Sequence, residues 1–256
     1  HPLPTRRLGL IADSVRQGLV RLRRRRNAPL ARTAEQQALL CADLHWIRCE
    51  AAYFGLDRTT LINSALRTLN FAEPSGPNRA KARAHAVFAL SVGILGRHRT
   101  ARAHFARGKA VAAELNDAVI GGYCHQLEAM YHQGMADWER AETCSDAALR
   151  LYTQAGDEPH CAVARAVRGF MHLHRGQPTA VLERAGSTET EHWVERLPQM
   201  LLWRAATRLA AGLMLEAIDA EAFERLERLL AQPAFPADQL VGHGVLALAM
   251  LRRGDD

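Results

Sequence analysis

The sequence predicts an all-α protein, an α-solenoid of about five to six helical hairpins with a period near 40 residues. Two observations carry this. The 256 residues include 45 Ala and 34 Leu against 12 Val and 6 Ile. Ala and Leu lead the helix scale, whereas strands favour β-branched and aromatic side chains. Gly55, Gly96, Gly134, Gly176, Gly212 and Gly254 recur at spacings of 41, 38, 42, 36 and 42 residues, mostly where one apolar-periodic stretch ends and another begins. Glycine suits such places because helices often end in the left-handed region, where a Cβ is penalised. Gly212 fits least well, since an apolar-periodic stretch runs past it from Pro198 to Ala217.

The elements follow in order. Leu8, Ile11, Val15, Leu19 and Leu22 make an apolar stripe at helical spacing over 5–26, expected to pack on the hairpin 33–72. Thr33-Ala34-Glu35-Gln36 reads as a capping box opening a helix over 33–54. Helices are then expected over 58–72, 78–95, 98–115, 117–133, 138–155, 159–175, 179–188, 194–217, 220–231 and 238–253. Asp137 and Asp219 can accept the free N–H groups of a first turn, and Pro159 and Pro178 suit first helical positions. Loops are expected at Asn27–Arg32, Glu73–Asn78 and Gln232–Ala237. This divides the chain into a basic arm, 1–32, and one continuous helical-repeat domain, 33–256.

Charge sits unevenly. Residues 1–32 hold nine Arg and one acid, a local net of +8, and the other 224 residues sum to −2. A wholly basic nucleic-acid binder is therefore not expected. Arg21, Arg23, Arg24, Arg25 and Arg26 form the basic end of the first helix, a candidate docking patch for an acidic partner or adjacent domain. The cysteines Cys41, Cys49, Cys124, Cys144 and Cys161 are odd in number and form no CxxC pair. A disulfide scaffold is not expected, and a reducing cytoplasm fits. No apolar run approaches the ~20 residues of a membrane span. The chain opens His1-Pro2, which suggests a piece of a longer polypeptide.

Catalytic constellations fail their spacing tests. The Gly108-Lys109 pair has Ala103 where a P-loop needs its first Gly and Ala110 where it needs a hydroxyl. Cys124-His125 and His160-Cys161 are adjacent, so their side chains diverge on a helix, and these cysteines are expected to pack in the core. His125, Glu128 and His132 share one stripe, but the two histidines lie two turns apart, too far to share an ion without a kink or a second helix. No metal, cofactor or catalytic residue is expected. What remains is a candidate groove for a partner or a small anionic ligand, lined by His85, His125, Glu128, His132, Arg165, Arg168 and His172.

Ala101 and Phe105 follow Gly96, and Trp138, Ala141, Ala148 and Leu149 follow Gly134. Gly134-Met135-Ala136-Asp137-Trp138-Glu139-Arg140-Ala141 resembles the tetratricopeptide (TPR) pattern of a Gly, small positions and an aromatic, with a longer period. Pro2-Leu3-Pro4, the arginine-rich helix end, the stretch Leu69-Asn70-Phe71-Ala72-Glu73-Pro74-Ser75-Gly76-Pro77 and Ala136-Asp137-Trp138 resemble the C-terminal helical region of large bacterial signalling ATPases. These are cyclase-associated predicted ATPases, related to the maltose-regulon activator type. The resemblance is strongest over 1–176 and fades after about 185. It implies a regulatory, cytoplasmic TPR-like module, non-catalytic in itself, that senses a ligand or a protein partner beside ATPase or cyclase domains. Two rival expectations remain, a structural spacer and a helical metal-binding enzyme.

Overall fold

The computed structural model describes residues 15, 32–185, 198–232, 234 and 236–254. Among these residues the protein is all-helical, with eleven helices and no strand. No described helix is long and apolar enough to cross a membrane. The chain forms two compact units, His1–Leu151 and Tyr152–Asp256.

The first unit contains α1 (Arg32–Phe54), α2 (Arg58–Ala72), α3 (Arg79–Ile94), α4 (His98–Glu114), α5 (Ala118–Gly134) and most of α6 (Trp138–Ala155). From α1 to α5 each helix packs on the next, and α1 touches α3 as α3 touches α5. Alanine makes this layering dense: Ala42, Ala65, Ala72, Ala82, Ala84, Ala86, Ala89, Ala101 and Ala112 are buried. Small side chains bring helix axes close, and larger groups fill the spaces left. Phe105 and Tyr131 pack with Ala89 and Ala101 in one such space. Of the TPR-pattern positions, Ala101, Phe105, Ala141 and Ala148 lie in the core, whereas Trp138 and Leu149 are only half-buried.

The second unit holds α7 (Glu158–His174), α8 (Pro178–Ala185), α9 (Pro198–Met214), α10 (Ala220–Leu230) and α11 (Pro236–Arg253). Helix α9 is central and packs on the other four. Its Leu202, Ala205, Ala206 and Leu209 meet Phe223, Leu226 and Leu230 of α10 and Ala249 of α11. Asp238, buried in the first turn of α11, accepts from Trp203 Nε1 at 2.7 Å and from Gln199 Nε2 at 3.3 Å. Trp203 in turn meets Phe170 of α7 edge to face, at 5.6 Å between centroids.

The turns repeat more regularly than the glycines do. Gly96, Asn116, Ala136, Gly156 and Gly176 all have positive φ and stand 20 residues apart, and Leu56 and Glu216 continue the same register. Each is followed by a residue whose N–H reaches back five positions, as Asp57 to Ala52 O, Asp117 to Ala112 O and Asp157 to Tyr152 O, at 2.9–3.1 Å. This is a Schellman ending, which satisfies carbonyls that a helix C-terminus leaves free. The same aspartate then caps the next helix: Asp57, Asp117 and Asp157 accept from the N–H groups of Thr60, Ile120 and His160. One residue thus closes one helix and opens another.

Several expectations change. Gly55 and Gly134 are not the left-handed residues of their turns; Leu56 and Ala136 are. Gly212 lies inside α9, as the apolar-periodic stretch running past it implies. Helix α1 is already helical at Arg32, so Thr33 lies within it rather than capping it. Asp219 does cap α10, accepting from Ala222 N at 2.9 Å. The basic arm, with Arg21 and Arg23–Arg26, lies outside the described residues except for Val15. Val15 is helical and 59% exposed, so the burial expected at the centre of its stripe is not met. On α1, Leu40, Leu44 and Ile47 likewise leave an apolar stripe open to solvent.

Candidate functional site

The seven groove candidates divide between the units: His85, His125, Glu128 and His132 in the first, Arg165, Arg168 and His172 in the second. Three of them are buried and do not line an open surface. His85 on α3 sits with its Nδ1 3.0 Å from Nδ1 of His104 on α4, both rings buried. Such a contact needs one N–H donor and one lone pair, so the two Nδ1 atoms share a single proton.

His132 and His172 brace turns. His132 Nδ1 lies 3.4 Å from Asp137 Oδ2, and His172 Nδ1 donates to Gln177 Oε1 at 3.0 Å. The two pairs are 40 residues apart and span the same five positions, across Ala136 and Gly176. Burial holds the His132 imidazole below its usual pKa, against the pull of Asp137 and Glu128. Arg165 and Arg168 are half-buried on α7.

A different grouping is assembled by the helices. His125 and Glu128 lie one turn apart on α5, and Cys144 faces them from α6. One ligating atom from each lies within 4.8 Å of the other two. Glu128 and Cys144 are equally distant in sequence from Ala136, the left-handed residue between their helices, so an antiparallel hairpin sets them opposite each other. Lys109 Nζ, from α4, donates to Glu128 Oε2 at 2.6 Å, and the Glu128 side chain is only 12% exposed. His125 Nδ1 is buried without a hydrogen-bond partner among the described residues. Burial depresses the pKa of His125, Lys109 and Arg150 depress it further, and Glu128 opposes them.

The Cys144 thiol is pushed up to about 12 by burial and by the neighbouring Glu128 carboxylate, to which it hydrogen-bonds. It is therefore protonated near neutral pH, the reverse of what a nucleophilic cysteine needs. Cys124, beside His125 in sequence, points away into the core, 3.8 Å from Ala82 O, and is also raised to about 12 by burial. Neither Cys144 nor Cys124 is an activated nucleophile beside His125. In the second unit, a shallow cleft between α9 and α10 is lined by Arg204, Arg208, Glu221 and Arg225. It has room only for water, and Arg208 is tied to Asp219 at 2.7 Å.

Sequence reasoning missed Lys109 and Cys144. The signal was present in the hairpin register, but it required the turn to be centred on Ala136 rather than Gly134.

These features define an all-helical hairpin protein with a polar cluster of nitrogen, oxygen and sulfur donors inside its first unit. No protein-family model matches the chain, and no curated protein matches it either.

Proposed function

We propose that the chain is a non-catalytic helical-repeat module, a TPR-like solenoid of about five to six hairpins over 33–256. In this reading it senses a ligand, a protein partner or an adjacent domain within a larger bacterial signalling ATPase of the cytoplasm. The observation that carries it is the 20-residue recurrence of left-handed turns from Gly96 to Gly176. Repeats of this kind stack on their nearest neighbours and offer successive equivalent faces to a partner. The exposed apolar stripe of α1, formed by Leu40, Leu44 and Ile47, suits such contacts.

Two measurements test the reading. The longer polypeptide that carries this segment is expected to contain a Gly-x4-Gly-Lys-Ser/Thr phosphate loop upstream. A thermal-shift screen with acidic peptides and small anions is expected to find a stabilising ligand, worth about 2.7 kcal/mol at 100-fold over its dissociation constant. Arg165→Ala with Arg168→Ala should weaken that effect. The structural spacer is the second reading, favoured by the burial of His85, His132 and His172, which removes three of seven groove candidates. A parent without a phosphate loop, together with a screen without hits, selects the spacer.

A further inference from the structure

We propose that His125, Glu128 and Cys144 form a binding site for a divalent transition metal of the zinc type, with Lys109 as a competing cation at its edge. The donor set is an imidazole nitrogen, a carboxylate oxygen and a sulfur, a combination that suits borderline ions such as zinc. Calcium and magnesium prefer oxygen alone, and one carboxylate is too few for them. The three donors come from two helices locked by one turn, so the site is largely preorganised.

Their spacing is close to what a metal requires. Zinc bonds of about 2.0–2.3 Å place tetrahedral donors about 3.3–3.8 Å apart. The present atoms all lie within 4.8 Å of one another, a gap that side-chain rotation can close. An independent observation comes from His125, whose buried Nδ1 has no hydrogen-bond partner among the described residues. Buried polar atoms are nearly always satisfied, so an orphan nitrogen on a ring that lies within reach of two further donors is informative. His132, the third member of the stripe in sequence, does not belong to the group of donors within 4.8 Å of one another, and its Nδ1 faces Asp137.

Lys109 is the obstacle and the diagnostic. Its ammonium holds Glu128 at 2.6 Å and its side chain is 32% exposed, so it can swing toward solvent when a metal takes the carboxylate. Binding is not a redox step. The metal–sulfur bond replaces the Cys144 S–H bond, and the proton leaves to solvent. Three protein donors leave a fourth position for water.

The test is a titration of the reduced, metal-free chain with Co2+, which reports thiolate ligation and tetrahedral geometry in its absorption spectrum. A sulfur-to-cobalt charge-transfer band is expected at one equivalent, and Zn2+ should displace it stoichiometrically. Cys144→Ser should abolish the band with the helical circular dichroism unchanged. His125→Asn should weaken binding about 10–100-fold, whereas Lys109→Met should tighten it, opposite in sign to any structural damage. No charge-transfer band, or one that survives Cys144→Ser, overturns the site. Unchanged or weaker binding in Lys109→Met overturns the competing role of the lysine.

Discussion

Replacing Gly212 with Ala tests whether a helix-interior glycine is there for space rather than for backbone freedom. A Cβ at 212 would sit 2.5 Å from the carbonyl oxygen of Ala217, well under the 3.4 Å at which ordinary contact begins. That oxygen belongs to the returning backbone, not to a side chain that can rotate away. The same turn is closed by the N–H groups of Leu215 and Ala217, which donate to Gly212 O at 3.0 and 2.9 Å. Overpacking costs about 1–3 kcal/mol and weakening a turn hydrogen bond about 1 kcal/mol. The helix propensity of alanine returns about 1 kcal/mol. The net expectation is a loss of about 1–3 kcal/mol. Gly169→Ala is the control: it lies inside α7 with nothing within 4 Å of the added carbon, so it should gain up to about 1 kcal/mol. Urea unfolding followed by far-UV circular dichroism separates them. At a slope of about 2 kcal/mol per M, a loss of about 2 kcal/mol lowers the midpoint by about 1 M. A Gly212→Ala midpoint equal to or above that of the parent chain refutes the close-approach argument.

The turn register predicts that Ala136→Gly stabilises the chain. Alanine at φ +54° costs about 1–2 kcal/mol, glycine gives back about 0.5–1 kcal/mol as unfolded-state entropy, and the midpoint in urea should rise. Asp57→Ala should cost about 0.5–2 kcal/mol in the same assay, because the carboxylate accepts from Thr60 N at 3.0 Å and Thr60 Oγ1 at 2.6 Å. Those two bonds hold the Asp57 carboxyl below its usual pKa, so its contribution is present at neutral pH and is lost as acid protonates it. Burial lowers the pKa of His45, which stacks on Phe71, and of His132. The unfolded chain therefore takes up protons first as pH falls through about 6.5, and stability should decline between about pH 7.5 and about pH 5.5. His45→Gln should flatten that decline, read as urea midpoints at the two pH values.

What the sequence determined by itself is local. The helices expected over 58–72, 138–155 and 220–231 match Arg58–Ala72, Trp138–Ala155 and Ala220–Leu230 to within a residue. The signals that bound them are short-range: Asp219, expected to cap 220–231, accepts from Ala222 N within the first turn. The small positions Ala101, Ala141 and Ala148 are buried as their spacing implies. Tertiary structure decided the rest. A left-handed residue is fixed by two hydrogen bonds that close a helix pair, and those bonds can hold Leu56, Ala136 or Glu216 there against an intrinsic cost, so glycine alone was a misleading marker. Polar stripes look alike in sequence whether they face water or a neighbouring helix. His132 and His172 therefore read as groove residues, while packing turns them into turn braces. The meeting of Cys144 with His125 and Glu128 depends on where the hairpin turns, because moving the turn by two residues shifts every cross-helix pairing by four, about one helical turn.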